Sequence, residues 1–535
     1  MWRFIFELSE EDKHRRRSLL DWYGEVAQLS ALVPLALLAV YRLVQLLSAR
    51  GSTAQNVKSV TRSFSWWCGS SLYLWNYPLG TNGEVLGGIV WLAWLLILCA
   101  NQTGDDYMHL TKRFGIVGAS QLPLHYLLAW KSSWSPIARI TGRSWEELNR
   151  IHQVLGRVIT TLFTLHASFY LNFFISAGVL AKRIKDLDVI LGLTAITSFT
   201  VLGGTALNAV RDKNYRLFFI VHVSVALLVF PVLYFHVSHL RIYILESIAI
   251  LLVGTLLRRL GRSTVSATVA EVEGADLIEV SVPRSELNKQ SWAPGQHVYL
   301  SMANTLISTN PFTIASLPAE KKLRLMLRVL RGNTKTIASA TKHGSKLQLQ
   351  IEGPYGHTEH LKTLLRCDRI LFVAGGVGAT FIAPLHRALM HALSSRTESL
   401  IPSKVSLLWT VKTLDETHWA LQDMAQPGVA EATKVHLTSS PRKRDAQSIP
   451  REGVEMQSLL SDAREQNVPA GVEVRRGRPD LHRVVDEVFA QSATERVAVY
   501  VCGPKGMGDR VRDAVGRYVA EGREVIFWNE EFGLS

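Results

Sequence analysis

Four histidines in the apolar first half of the chain have a spacing suited to binding metal. His152 and His166 lie fourteen residues apart, and His222 and His236 have the same separation. At ~100° per residue, fourteen residues of α-helix fall within about 40° of four full turns, so the members of each pair share one helix face. The rise of ~21 Å over that stretch fits two levels inside a hydrocarbon layer of ~30 Å.

The two pairs predict two haem-binding levels. If both helices cross the membrane in the same direction, His152 is level with His222 on the inner side, and His166 is level with His236 on the outer side. Each level then offers two imidazoles, which is the ligand set of a six-coordinate haem iron that transfers electrons. The alternative is that these histidines only form hydrogen bonds between helices.

Two other histidines in this half are weaker candidates. His125 stands alone in its segment, and we interpret it as a residue that hydrogen-bonds between helices, because one ionisable membrane side chain proves little. His239 lies ~100° away from the line through His222 and His236 on the helix surface. The metal ligands are therefore predicted to be the four paired histidines.

Membrane helices must position these ligands. Seven segments are apolar enough, with six as the alternative because the second and third are short. They cover residues 23–47, 84–99, 115–130, 148–171, 189–210, 215–237 and 242–257. Arg258, Arg259 and Arg262 follow the last segment and place the C-terminal half in the cytosol.

Charge and cysteine usage exclude other classes. The net charge of +14 comes from 59 basic and 45 acidic residues. The basic residues stand beside apolar segments without interleaved stacking aromatics, so they indicate cytosolic membrane flanks and no nucleic acid. The four cysteines show neither CxxC nor zinc spacing, so no zinc module or disulfide framework is expected.

The second half has the pattern of a water-exposed protein. Short β-like runs occupy residues 264–269, 277–282 and 297–302, and from Arg369 the pattern becomes strand, glycine loop and helix. Residues 439–469 are polar and predicted to be a flexible insertion. We therefore expect a membrane domain over 1–260 with its core at 115–260, a β-rich domain over 264–360 and an α/β domain over 366–535.

The β-rich segment resembles the ferric reductase and NADPH oxidase family, whose soluble half is similar to ferredoxin–NADP reductase. The resemblance rests on the run from Trp292 to Leu300, on Asn310-Pro-Phe-Thr313, on Arg328 to Thr334 and on Gly353-Pro-Tyr-Gly356. It implies an antiparallel β-barrel that binds FAD, with Asn310 standing where the family usually has His. Arg328 or Arg331 would pair with the pyrophosphate, and Gly332 would permit close approach. The implied FAD-contacting residues are Asn310, Pro311, Phe312, Thr313, Arg328, Arg331, Gly332 and Thr334.

The α/β segment resembles the nicotinamide-binding part of the same family. A glycine loop between strand and helix can hold a pyrophosphate on backbone amides. Arg478 would offer charge to the 2′-phosphate of NADPH. Cys502 would lie near the reacting nicotinamide carbon, with a buried core thiol as the alternative, and Phe532 would cover the flavin. The implied nucleotide-binding residues are Gly375, Gly376, Gly378, Thr380, Arg478, Gly503 and Pro504.

The resemblance implies a relay from cytosolic NADPH through FAD and two b-type haems to an acceptor across the membrane, which is expected to be the plasma membrane. The acceptors are ferric or cupric chelates, or dioxygen giving superoxide. The family's reductases space both histidine pairs by fourteen, so the equal spacing here favours a metal reductase with a role in ion transport and iron homeostasis. The alternative from another class is a non-catalytic transporter or receptor.

Overall fold

The computed structural model divides the chain into two compact units that separate between Gly261 and Arg262. It describes residues 2–5, 7–48, 55–75, 77–132, 134–287, 291–302, 310–330, 333–340, 346–394, 404–425, 428–439 and 468–531. Most of the predicted insertion, residues 440–467, lies outside the described residues.

The N-terminal unit is built almost entirely from helices. The longer helices are α1 (Glu10–Ser30), α2 (Leu32–Ser48), α3 (Gln55–Cys68), α4 (Asn82–Ala100), α5 (Tyr107–Ser120), α8 (Trp145–Ser176), α10 (Leu187–Thr205), α12 (Tyr215–His236) and α13 (Arg241–Leu260). The shorter ones are α6 (Leu122–Leu128), α7 (Pro136–Thr141), α9 (Leu180–Arg183) and α11 (Asn208–Arg211). A small antiparallel hairpin, β1 (Ser71–Leu74) and β2 (Tyr77–Thr81), precedes α4.

Six helical stretches within the described residues are long and apolar enough to cross a membrane. They are Glu10–Tyr41, Asn82–Ala100, Trp145–Ser176, Leu187–Thr205, Tyr215–His236 and Ser238–Leu260. Side chains on their outer surfaces, such as Leu37, Ile89, Leu187 and Leu252, are exposed although apolar, as expected for surfaces that face lipid. The chain is a multi-pass membrane protein.

The segment expected as the third of seven spans is two shorter helices, α5 and α6. The helix stops at Gln121, because Pro123 in the first turn of α6 has no N–H to continue the hydrogen-bond ladder. The Gln121 side chain holds the break: its Nε2 donates to the carbonyl of Ala27 at 3.1 Å, and its Oε1 accepts from Trp91 at 3.2 Å. The expected single helix over residues 115–130 was therefore wrong, and the described part of the chain contains six long apolar helical stretches.

The first half of the C-terminal unit is an antiparallel barrel. Its strands are β3 (Arg262–Val272), β4 (Leu277–Pro283), β5 (His297–Met302), β6 (Asn310–Thr313), β7 (Lys322–Arg328) and β8 (Leu347–Tyr355). They lie in the order β6-β5-β8-β3-β4-β7, and a bridge between Ile314 and Leu325 brings the two outer strands together. Apolar side chains such as Val265, Val280 and Leu349 fill the interior.

The second half of this unit is an α/β domain around a parallel sheet. Its strands are β9 (Arg369–Gly375), β10 (Val405–Val411), β11 (Thr433–Leu437), β12 (Glu473–Arg476), β13 (Val497–Gly503) and β14 (Val525–Glu531). Its helices are α15 (His360–Leu364), α16 (Ala379–Ser394), α17 (His418–Leu421), α18 (Leu481–Phe489) and α19 (Lys505–Ala520), whereas α14 (Asn333–Ala340) belongs to the barrel, between β7 and β8. The order β12-β11-β10-β9-β13-β14 reverses direction between β9 and β13, which makes that point the topological switch where ligands bind. The predicted fold class, a helical membrane bundle followed by a ferredoxin–NADP reductase-like module, is confirmed.

Candidate cofactor sites

The helices α8 and α12 carry the four predicted haem ligands. His152 and His166 lie on α8, and His222 and His236 lie on α12. His152 is close enough to His222 for their charges to interact, and His166 is similarly close to His236. The structure therefore brings the four side chains together in two pairs.

Backbone carbonyls fix three of these rings. The distances from Nδ1 to carbonyl oxygen are 2.9 Å for His152 to His125, 2.8 Å for His166 to Thr111 and 2.7 Å for His236 to Asp188. Because a carbonyl oxygen only accepts, each Nδ1 carries the proton and donates it, which leaves the Nε2 lone pair free. This is the tautomer that binds iron through Nε2.

His222 differs from the other three. Its Nδ1 is buried and has no hydrogen-bond partner of normal geometry among the described residues. The carbonyl of Leu202 lies near enough to act on the ring but does not complete a hydrogen bond. The His222 ring is therefore held mainly by packing, including Phe218, whose ring centroid lies 5.2 Å away.

Two glycines pack directly on the outer pair of rings. A Cβ atom at Gly115 would lie 2.9 Å from Cε1 and Nδ1 of His166, and one at Gly192 would lie 3.0 Å from Cε1 of His236. Contacts this short leave no room for a side chain at either position. The glycines therefore let the neighbouring helices approach and restrict the rings to one orientation.

The paired histidines fit haem better than a bare metal ion. No group of three or more His, Cys, Asp or Glu side chains within the described ranges could hold a metal ion. A haem iron needs only two protein ligands, since the porphyrin supplies the other four. Two imidazoles per level with free Nε2 atoms match that requirement.

The two weaker candidates have different surroundings. Nδ1 of His239 lies 2.7 Å from a carboxylate oxygen of Asp21, so this ring is engaged away from the pairs. His125 lies beside the inner pair, with its ring stacked on His152 at a centroid distance of 3.8 Å. Sequence periodicity missed this position, because the helix break at Gln121 sets the direction of His125 independently of α5.

The predicted FAD segment forms β6 of the barrel. Asn310 pairs with Leu300 of β5 and is half-buried, and Pro311 is exposed. Phe312 is half-buried and Thr313 is buried. The segment therefore lies along the edge strand β6, with Asn310 at its start and the Thr313 hydroxyl enclosed.

The predicted pyrophosphate segment is described in part. Arg331 and Gly332 lie outside the described residues, as does Phe532. Thr334 is buried, and its hydroxyl accepts from the backbone N–H of Leu330 at 3.0 Å. This bond fixes the turn that leads from β7 into α14.

Arg328 extends from the barrel toward the nucleotide-binding domain. Its guanidinium donates to Oε1 of Glu416 at 3.0 Å, and it lies 3.7 Å from the position that a Cβ on Gly376 would take. Glu416 belongs to a turn after β10, and its Oε2 is buried without a hydrogen-bond partner among the described residues. Sequence reasoning missed Glu416, because a single acidic residue in a loop carries no signal of its distant partner.

A second arginine fixes the two soluble domains against each other. Arg324 of β7 donates to Glu279 at 3.2 Å, to Asp423 at 2.7 Å and to the carbonyl of Trp419 at 3.0 Å. A guanidinium with fixed, forked donors suits such a three-way contact. The barrel and the sheet are thus held in one orientation beside the switch point.

The glycine loops after β9 and β13 meet at the switch point. A Cβ at Gly378 would lie 2.1 Å from the carbonyl oxygen of Cys502, and one at Gly375 would lie 2.7 Å from Cδ of Pro504. A Cβ at Gly503 would likewise lie 3.1 Å from the backbone N and Cα atoms of Gly375. Only glycine allows these two loops to approach so closely, and α16 begins directly after the first loop, where its N-terminal amides can face a phosphate.

The remaining nucleotide candidates differ in exposure. Thr380 is buried, and its hydroxyl donates to the carbonyl of Val377 at 2.9 Å. The Cys502 thiol is fully buried in the domain core, where burial, with Glu530 nearby, raises its pKa well above the usual value. Arg478 is exposed beyond the end of β12, at the same edge of the sheet as the glycine loops.

Three family models match successive parts of the chain. Residues 114–233 match the ferric reductase like transmembrane component, residues 262–359 match an FAD-binding domain, and residues 367–516 match the ferric reductase NAD binding domain. The first model includes three of the four paired histidines, and His236 lies just beyond it.

Similar proteins come from yeasts. A probable metalloreductase AIM14 of Scheffersomyces stipitis is 23% identical over 530 residues, covering 93% of this chain and 94% of that protein. A protein of the same name from Yarrowia lipolytica is 29% identical, covering 61% of this chain and 62% of that protein. The ferric/cupric reductase transmembrane component 1 of Candida albicans is 24% identical, covering 78% of this chain and 56% of that protein.

Fold and sites together define a membrane-embedded oxidoreductase with FAD-binding and NAD(P)-binding domains. Within that class, the matches confirm the predicted resemblance to the ferric reductase family. The chain thus has the parts needed for electron transfer from NAD(P)H across a membrane.

Proposed function

We propose that this protein transfers electrons from cytosolic NADPH, through FAD and two b-type haems, to ferric or cupric chelates across the membrane. The helical half would lie in the plasma membrane, and the C-terminal half would lie in the cytosol. The observation that supports it most is the pair of histidines at each of two levels. Three of the four rings have Nδ1 on a backbone carbonyl and Nε2 free. Both nucleotide-binding domains stand in the same chain.

The four histidines would hold one haem at each level. When bound, the haems would supply one-electron carriers that let charge cross the hydrocarbon layer without movement of an ion. The chain's own part is to hold three of the four rings in a fixed tautomer through backbone carbonyls and to hold His222 by packing. The glycines at 115 and 192 keep the outer rings in place, and the apolar helices around them exclude water.

The soluble residues would orient the two nucleotides. The loops at Gly378 and Gly503 offer backbone N–H groups to a pyrophosphate at the switch point. The Arg324 network keeps the flavin domain against that point. Arg478, at the same sheet edge, would recognise the 2′-phosphate, and Phe532 would cover the flavin ring. The full burial of Cys502 favours the alternative of a core thiol over a contact with the nicotinamide.

The acceptor is decided by activity measurements in membranes. NADPH consumption should be followed in vesicles that contain the full-length protein, with ferric citrate or dioxygen offered separately. We expect ferric citrate to drive consumption and His236→Ala to abolish it. His239→Ala is the matched control, because His239 bonds to Asp21 and should retain full activity. Consumption that depends on dioxygen and yields superoxide would identify an oxidase instead.

A further inference from the structure

The inner histidine pair has a third imidazole beside it. The rings of His125 and His152 are stacked at a centroid distance of 3.8 Å with an angle of 11° between their planes. The backbone carbonyl of the same residue, His125, accepts the hydrogen bond from Nδ1 of His152 at 2.9 Å. One residue of α6 therefore contacts both the face and the Nδ1 edge of the predicted ligand.

The sequence of α8 makes room for this ring. Gly156 lies four residues after His152, on the same helix face. A Cβ atom at Gly156 would lie 3.0 Å from Cε1 of His125. The His125 ring thus occupies a space bounded by the His152 ring and the bare backbone of Gly156.

The nitrogens of His125 are not used by the protein around it. Nδ1 is buried and has no hydrogen-bond partner in the part of the chain that the structure describes. The residue as a whole is half-buried, and its Nε2 lies 3.6 Å from the position that a Cβ on Gly156 would take. His222 is close enough to interact electrostatically with both His125 and His152, so all three imidazoles surround the same inner level.

Among the described residues, no third imidazole stacks on the outer pair. At the outer level, Gly115 of α5 packs on the ring of His166. At the inner level, the ring of His125 from α6 stacks on His152. The nearest aromatic ring recorded beside His166 within the described residues is Tyr170, at 5.0 Å, which offers no imidazole. The two levels therefore provide a natural comparison.

We propose that His125 is a third haem-binding histidine of the inner level, able to donate its Nε2 lone pair to iron in place of His152. The proposal rests on the proposed function, because it requires haem at the inner pair. Exchange of one neutral imidazole for another breaks one iron–nitrogen bond and forms one, and no electron or proton is gained or lost. Parallel stacking at 3.8 Å places the second ring directly next to the first.

The test counts haems per FAD in full-length protein purified in detergent, in buffers without imidazole. The variants are His152→Ala, His125→Ala, the double variant and His166→Ala. We expect two haems in the wild type, in His125→Ala and in His152→Ala, but one in the double variant and one in His166→Ala. The inner haem of His152→Ala should remain low-spin with changed g-values in electron paramagnetic resonance.

A haem count of one in His152→Ala, equal to that of the double variant, would overturn the proposal. FAD content and NADPH-dependent flavin reduction show whether each variant is folded. Failure of the proposed function gives a different result, since the wild type itself would then contain no haem.

Discussion

Arg328 of the flavin-binding barrel and Glu416 of the nucleotide-binding domain form an ion pair of 3.0 Å directly beside the glycine loop. The carboxylate is almost fully buried, and its second oxygen has no hydrogen-bond partner in the described residues. The resemblance implies that Arg328 or Arg331 pairs with the FAD pyrophosphate. If Arg328 has that role, its guanidinium is already paired with Glu416 in this structure. A bound phosphate must therefore compete with Glu416 or share the guanidinium with it.

Removing the carboxylate of Glu416 should strengthen the binding of FAD. In Glu416→Gln the amide cannot neutralise Arg328, so the guanidinium becomes available to a phosphate. We expect FAD to bind about fivefold more tightly, corresponding to roughly 1 kcal/mol. Titration of FAD into the deflavinated variant measures this. Asp423→Asn is the control, because it breaks the Arg324 contact and should lower thermal stability without tightening FAD binding. Equal or weaker FAD binding by Glu416→Gln would contradict the prediction.

Loss of one outer ligand should stop electron transfer across the membrane but not in the cytosol. His166→Ala and His236→Ala each remove one imidazole of the outer pair, whose rings face Gly115 and Gly192. We expect one haem per chain, no reduction of an external acceptor and normal reduction of FAD by NADPH. A haem assay combined with flavin absorbance on the same sample tests all three outcomes. Two haems in either variant would refute the ligand assignment.

Periodicity along one helix could be predicted from the sequence, whereas geometry between helices could not. The spacing of fourteen residues determines that His152 and His166 share a face of α8, because the helix repeat is fixed by the backbone. The stacking of His125 on His152 depends on how α6 restarts after Gln121 and on a bare backbone at Gly156. Neither dependence appears in the pattern of apolar residues around His125.

The soluble half shows the same division. Glycine loops after two apolar strands predicted a nucleotide site, and the sheet order places both loops at one switch point. Arg328 was one of two arginines predicted to pair with a phosphate, but its partner Glu416 lies 88 residues away in the other domain. Pairings of this kind follow from tertiary packing and leave no local signal.

Arg478 should determine the preference for NADPH over NADH. It is exposed beyond β12, and a guanidinium there favours the additional phosphate by a charge-assisted hydrogen bond. We expect Arg478→Ala to lower the ratio of catalytic efficiencies, NADPH to NADH, by about tenfold, equivalent to ~1.4 kcal/mol. Steady-state kinetics with both nucleotides measure this ratio. Arg475→Ala serves as the comparison, since that side chain pairs with Glu473 and should leave the ratio unchanged.

Asn310 is a departure with a measurable consequence. The family usually has histidine at this first residue of β6, and asparagine can neither stack nor titrate in the same way. If that histidine stabilises FAD, Asn310→His should bind FAD about fivefold more tightly, or roughly 1 kcal/mol. Activity at limiting FAD should rise, with no change at saturation. A variant that binds FAD no tighter would show that Asn310 already makes an equivalent contact.

His386 should make the stability of the nucleotide-binding domain depend on pH. The residue lies on α16, fully buried against Phe372, and neither ring nitrogen has a partner among the described residues. Burial lowers the pKa of His386 to about 4 from its ordinary value of 6.5. The unfolded chain therefore takes up a proton more readily than the folded one between these two values. Stability should be complete above pH 6.5 and should fall as the pH drops toward 4, by on the order of 3 kcal/mol in total.

Replacing this ring with an apolar side chain of similar size removes that dependence. We expect His386→Leu to lose less stability than the wild type between pH 7.5 and pH 5, because the buried imidazole at position 386 is gone. The midpoint of thermal release of FAD, followed by its fluorescence, measures the difference at each pH. His360, whose pKa burial also lowers to about 4, is present in both proteins and cancels in the comparison. His391→Leu is the matched control on the same helix, since His391 is exposed and its loss should not change the pH dependence. An identical loss of stability in wild type and His386→Leu would show that His386 is not buried in its neutral form.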